Sequence, residues 1–250
     1  MPEQHMIDYE VIDGIAYIKL NRPEKLNAFT NSGLAEYVAA LDRLDRDDDA
    51  QIGVVSGAGR AFSSGSDINQ RLLAIADEGV DSRSLPSETQ AVLRCENYKP
   101  LVAAVHGYAV GHALGTALLC EFVVAAEDTR FQVTETLYGV PTASFWAHIA
   151  CATGASFAND VVLTGRFFTA SEAFRAGLIT RVAAEGRHFE EATALARQVL
   201  AHPQAALRET VRYRRSVLAE RLQHAAIVAG NFKWNMTDGF KDAIRAKAGR

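Results

Sequence analysis

Ile52-Gly-Val-Val-Ser-Gly-Ala-Gly-Arg-Ala-Phe-Ser-Ser-Gly-Ser-Asp-Ile68 decides the fold class of this chain. Ile52 to Ser56 is a short apolar run of the kind that forms a strand buried on both faces. Gly57-Ala-Gly59 ends it, and the small residues up to Gly65 make a strand-to-helix turn in which glycine supplies positive φ. Leu101 to Val105 is a second strand of the buried type, closed by His106-Gly107.

Working outward, Met6–Ile12 and Ile15–Leu20 are β-rich runs joined at Asp13-Gly14, a strong hairpin signal. A helix is predicted from Asn31 to Leu44, with Leu34, Val38 and Leu41 on its apolar face. Asp45–Asp49 reads as an acidic, solvated turn, and residues 77–87 as a polar loop containing Gly79 and Pro86. Gly111–Leu119 suits a buried helix and Phe122–Ala126 another strand. Helical patterns then dominate: Ala155–Leu163, Ala170–Ala176, Phe189–Leu200, Gln204–Val217 and Glu220–Asn231. Strands alternating with helices, then a helical tail, give an α/β fold followed by an α-helical region, without a compositional break that would mark a linker.

At 250 residues the chain supports a sizeable core, and 48% hydrophobic with 22% charged residues is ordinary for a globular protein. A net charge of -4 and a pI near 6.0 argue against nucleic acid as a partner. No run reaches the roughly 18 apolar residues of a membrane span, and the N-terminus shows no signal peptide, so a cytoplasmic location is expected. Cys95, Cys120 and Cys151 are widely spaced and read as small buried hydrophobes in a reducing compartment. The histidines show no metal-ligand spacing, so no metal is expected. Ser64 and Ser66 show no triad with a histidine and an acid that sequence alone could identify.

Four segments, in order, resemble signatures of the crotonase (enoyl-CoA hydratase/isomerase) superfamily: Leu20–Ala28, Gly57–Ile68, Val102–Gly111, and Phe131-Gln-Val-Thr-Glu135 with Gly139-Val-Pro141. Leu163-Thr-Gly165 and Ala173–Leu178 match later landmarks of the family. The resemblance implies a ββα superhelix over residues 1–190. Residues 191–250 would be a C-terminal helical region that completes the CoA site or serves oligomerisation. It implies an acyl-CoA thioester as substrate, with coenzyme A part of that substrate and no separate cofactor. A homotrimer or hexamer is the expected assembly.

By the same resemblance, the N–H groups of Ser66 and His112 hold the thioester oxygen as an enolate forms. Lys25, Leu26, Ala61, Ser66, Asp67, Ile68 and Gly111 bind the thioester or its CoA, although Lys25 also fits a solvated loop cation. Hydratases of the family use two glutamates. Here Gly115 stands in the place of the first, and Glu135 matches the second. One carboxylate is enough to move a proton between two carbons, which favours an enoyl-CoA isomerase with Glu135 as its acid–base. Burial of Glu135 against Phe131, Leu137 or Trp146 would raise its pKa; the plainer alternative is a glutamate that complements a helix start. His112 replaces the family's usual glycine. Either its backbone alone matters, or its imidazole makes the chain a hydratase or C–C hydrolase with a rearranged site. A catalytically weakened CoA-ester-binding protein is the third alternative. Glu121 is read as an acidic residue at a helix end, Tyr138 and Thr136 as pocket or core residues.

Overall fold

The computed structural model describes residues 5–72, 86–230 and 237–248. A six-stranded sheet has the order β1 (Ile7–Ile12), β2 (Ile15–Leu20), β3 (Ile52–Gly57), β4 (Leu101–Val105), β6 (Phe122–Ala126), β9 (Arg181–Ala183). Only β1–β2 is antiparallel, and its two-residue turn has Asp13 and Gly14 at φ 50° and 79°, the primed geometry that a right-twisted hairpin needs. The remaining pairs are parallel, so both sheet faces must be covered. Period-two alternation divides the strands accordingly. Val55, Ala103 and Val105 face the larger core beneath α1 (Asn31–Arg46), whereas Val54, Val102 and Ala104 face a smaller core. That smaller core is sealed by Ala192, Leu195 and Ala196 of α7 (His188–Leu200). The boundary expected at 190/191 therefore falls inside a helix packed on the main sheet.

A second layer carries the site. β5 (Tyr108–Val110), β7 (Arg130–Gln132) and β8 (Phe168–Thr169) form a small sheet, and single bridges tie Ser63 to Ala109 and Phe29 to Ser66. The stretch after β3 thus runs as an extended edge, with its N–H groups bonded in turn to His106 O and Tyr108 O. α3 (His112–Leu119) follows β5, as expected for the buried helix.

Several details differ from expectation. α1 begins at the predicted residue, capped by Thr30 Oγ1 accepting from the Gly33 N–H at 2.9 Å, but Tyr37 rather than Val38 takes the fully buried position. Asp45 is buried, not solvated, and accepts from the N–H groups of Glu96 and Asn97, which pins the chain ahead of β4. The two C-terminal helices expected to part near residues 218–219 form one helix, α8 (Gln204–Gly230). No glycine or proline interrupts it there, and Leu218 is buried in the larger core. Only Cys120 of the three free cysteines is fully buried; Cys151 is exposed. The loop predicted over 77–87 lies, apart from Pro86 and Ser87, outside the described residues. Among the described residues no helix is long and apolar enough to cross a membrane.

Candidate active site

The site forms where the edge 61–66 meets the start of α3. Gly65, at φ +92°, lets the two backbones approach: a Cβ there would stand 2.5 Å from the Val110 carbonyl and 3.6 Å from the His112 nitrogen. Phe29 clamps the edge from the other side, donating its N–H to Gly65 O and accepting from the Asp67 N–H, each at 2.8 Å. This arrangement leaves the N–H of Ser66 between two used groups. Among the described residues, neither that N–H nor the N–H of His112 donates to a protein acceptor. His112 begins α3, so its N–H belongs to the first turn, where the helix offers no internal partner.

Glu135 follows β7 and opens a 3₁₀ turn, Glu135–Tyr138. Its carboxylate rests against the start of α3. A Cβ on Gly111 would lie 2.8 Å from both Glu135 Oε1 and Thr134 Oγ1. Oε2 is buried without a hydrogen-bond partner, and burial raises the carboxyl above its ordinary pKa, opposed in part by backbone hydrogen bonding and by His112. Of the three side chains expected to bury it, Leu137 and Trp146 are themselves exposed and Phe131 is fully buried. Nor does Glu135 serve as a solvated complement to a helix dipole. Gly111→Ala is expected to destabilise the protein by about 1–3 kcal/mol in urea unfolding, because φ +54° and ψ -123° suit glycine only and the new methyl displaces the Glu135 carboxylate.

Two cavities meet at His112 and Glu135. One, of about 720 Å³, is a groove lined by Lys25, Ser66, Asp67, Ile68, Gly111 and Tyr138, with Lys247 at its rim. The last helix, α9 (Asp238–Ala248), forms one wall by packing Phe240 and Ile244 against Ile68, Leu72, Tyr138 and Val140. Tyr138 lies close enough to Glu135 for the carboxylate charge to add to burial in raising its phenol pKa. Thr136 instead donates to Val162 O at 2.6 Å and so belongs to the framework. The structure thus gathers Lys25, Ser66, Ile68, Gly111, His112 and Glu135 around one groove.

Three of the expected binding residues have other work. Ala61 is fully buried, and its carbonyl accepts from Asn27 Nδ2 at 2.8 Å. Leu26 sits in left-handed conformation, and its carbonyl accepts from the Ser64 N–H. Asp67 is paired with Arg22 at 2.6 Å. Although burial opposes this, the guanidinium and the N–H groups of Gln70 and Asn69 hold its carboxyl below the usual range. Leu26 and Ala61 shape the edge from behind, while Asp67 also lines the groove.

The second cavity, about 610 Å³, extends past Gly115 between α2 (Glu88–Leu93), α4 (Ala143–Thr153) and α8. A carboxylate does reach this space, which the count of aligned glutamates did not anticipate. Glu88, buried at the first turn of α2, brings Oε1 within 3.2 Å of His112 Nε2. The contact has ion-pair distance without hydrogen-bond alignment, and Nε2 has no other polar partner. Glu121 stays out of the site: its side chain, 6% exposed, is bound by Arg214, Arg215 and the N–H of Leu101.

A sequence profile of the family described as Enoyl-CoA hydratase/isomerase matches residues 10–236. The 2,3-dehydroadipyl-CoA hydratase of Escherichia coli K12 is 34% identical over 194 residues, covering 77% of this chain and 75% of that protein. Among solved structures, an enoyl-CoA hydratase/isomerase from Mycobacterium paratuberculosis superposes with a TM-score of 0.82 at 26% identity, over 98% of this chain and 100% of that one. A monofunctional enoyl-CoA isomerase from Mycobacterium smegmatis gives a TM-score of 0.70 at 27% identity, over 86% and 95% respectively.

Proposed function

The chain belongs to the enoyl-CoA hydratase/isomerase family and carries the crotonase fold, and from that premise we propose that it shifts the double bond of an enoyl-CoA thioester with Glu135 as the proton carrier. The observation that carries this reading is the buried, unpartnered Oε2 of Glu135 beside the two uncommitted N–H groups of Ser66 and His112. Those two donors hold the thioester oxygen. As Glu135 takes a proton from the carbon next to the thioester, charge moves onto that oxygen, and donors fixed in advance stabilise it without having to reorganise. Glu135 then returns the proton to the far end of the delocalised system. Its raised pKa makes Glu135 a stronger base than an ordinary carboxylate for the first half of this cycle, and the carboxylic acid then formed returns the proton in the second. Lys25 and Lys247, at the groove, meet the phosphates of CoA.

Gly115 supplies no carboxylate for water, so hydration is the slower reaction. One observation favours a second reading, in which water or a C–C bond is the target: the imidazole of His112 faces the inner cavity with Glu88 beside it. Incubation with a 3-enoyl-CoA, a 2-enoyl-CoA and a β-diketone, followed by mass analysis, separates the two. Isomerised 3-enoyl-CoA is the expected product. Turnover of a 2-enoyl-CoA to its hydrate at ordinary enzyme rates, ~1–10³ per second, would replace isomerisation with hydration. Assembly as a homotrimer or hexamer forms part of the same proposal, supported by the exposed Leu163, Phe167 and Phe174, and is measured by light scattering.

A further inference from the structure

We infer that Glu88 is a positioning residue for the His112 imidazole, and that the pair is a second acid–base group working beside Glu135. The inference rests on the proposed thioester chemistry only for the reaction that the pair serves, not for its existence.

The geometry places the two side chains in one buried space. Glu88 is 5% exposed, and its carboxylate lies 3.2 Å from His112 Nε2. Phe29 meets the imidazole edge-to-face at 5.3 Å between ring centres, which restricts rotation of the ring about its bond to the backbone. Nε2 is buried and has no aligned hydrogen-bond partner, a costly state for a polar atom that evolution seldom leaves in an inert core. A small rotation that aligns an Nε2–H with Glu88 leaves Nδ1 as the second titratable face of the same ring. Gly115 contributes no side chain between these groups and the cavity, and Phe145 lies 3.6 Å from where its Cβ would be. The space that Gly115 leaves without a carboxylate on α3 is therefore served by a histidine on the same helix, supported by a carboxylate from α2.

The proton balance is closed. Glu135 removes a proton from the carbon next to the thioester, and the electron pair delocalises onto the thioester oxygen. Glu135 returns that proton to the distant carbon by way of His112 Nδ1, which takes it and passes it on while Nε2 keeps the proton held by Glu88. Both groups end in the protonation states in which they began, so nothing is consumed.

Ring-nitrogen ¹⁵N spectra of the full-length protein test the positioning role without any substrate. The parent is expected to carry its proton on Nε2 of His112, and Glu88→Gln to give a mixture of tautomers, whereas Glu88→Asp retains the parent pattern. Unchanged ring shifts in Glu88→Gln, with the thermal midpoint also unchanged, would overturn the inference. Kinetics on a 3-enoyl-CoA then test the catalytic role. Glu88→Gln and His112→Gln are each expected to lower kcat by about 10–10²-fold with KM within about two-fold, and the double variant to be no slower than His112→Gln alone. Additive losses, or a loss confined to KM, would mean that Glu88 acts elsewhere. If the parent turns over no thioester at all, the proposed reaction fails, and the spectra still decide whether the pair exists.

Discussion

Glu135→Gln is expected to lower turnover of a 3-enoyl-CoA by about 10²–10⁴-fold while leaving thioester affinity nearly unchanged. Glutamine keeps the length and hydrogen-bonding capacity of the side chain but cannot accept a proton at neutral pH. The parent's pH profile gives an independent check. Burial raises the folded-state pKa of Glu135, so the basic form, and with it kcat/KM, is lost as pH falls through a value above the ordinary carboxylate range. That limb should vanish in the variant. Stability moves the other way. A carboxyl whose folded pKa is raised favours folding most below its unfolded pKa, and that contribution disappears as pH rises through the folded value. At neutral pH the variant, relieved of a buried charge, is therefore expected to unfold at higher denaturant than the parent. Full activity in Glu135→Gln combined with loss in His112→Ala, which keeps the backbone N–H, would transfer the chemistry to the histidine.

Glu121→Ala should cost about 3–5 kcal/mol of stability, the usual penalty for removing one partner of a buried ion pair. Glu121 accepts from Arg215 Nε at 3.0 Å and Nη2 at 2.9 Å, from Arg214 Nη1 at 2.9 Å, and from the Leu101 N–H at 2.8 Å. Arg215 is 2% exposed, and its remaining acceptors, the carbonyls of Val92 and Lys99 and the thiol sulfur of Cys95, supply no carboxylate. Truncating the carboxylate leaves a cation in the core and the first N–H of β4 without its acceptor. A denaturant midpoint shifted down with an unchanged slope is the expected outcome. A shift below 1 kcal/mol would show that water reaches the guanidinium and replaces the carboxylate. The effect is on folding, and surviving folded protein should keep the parent's kcat.

What the sequence disclosed follows from the range over which each signal acts. The buried strands, the Asp13-Gly14 hairpin and the glycine-rich edge are local patterns, and each forms where expected. Glu135 could be singled out because its neighbours, Phe131 and Gly139-Val-Pro141, mark it. Glu88 could not. It stands at the end of a polar stretch, on a helix of six residues with too few turns to show a period, and its meaning comes from His112, which only the fold brings to it. Asp45 misled for a similar reason: all five residues from Asp45 to Asp49 are charged and read as solvated by pattern, yet the first of them caps a distant segment. The short strands β5, β7 and β9, three residues each, are too brief to show alternation and exist because neighbouring chain pairs with them.

The Glu121 cluster also sets an order of events at the ribosome. The partner that neutralises this carboxylate, Arg215, lies 94 residues further along the chain. At ordinary synthesis rates of about 5–20 residues per second, roughly 5–20 s pass between the two residues. Throughout that interval the nascent strands hold an acidic group at the edge of their core with no cation to meet it. The N-terminal sheet is therefore expected to reach its full stability only once α8 has emerged, and a chain ended before Arg215 is expected to be captured by chaperones rather than to fold as a shorter protein.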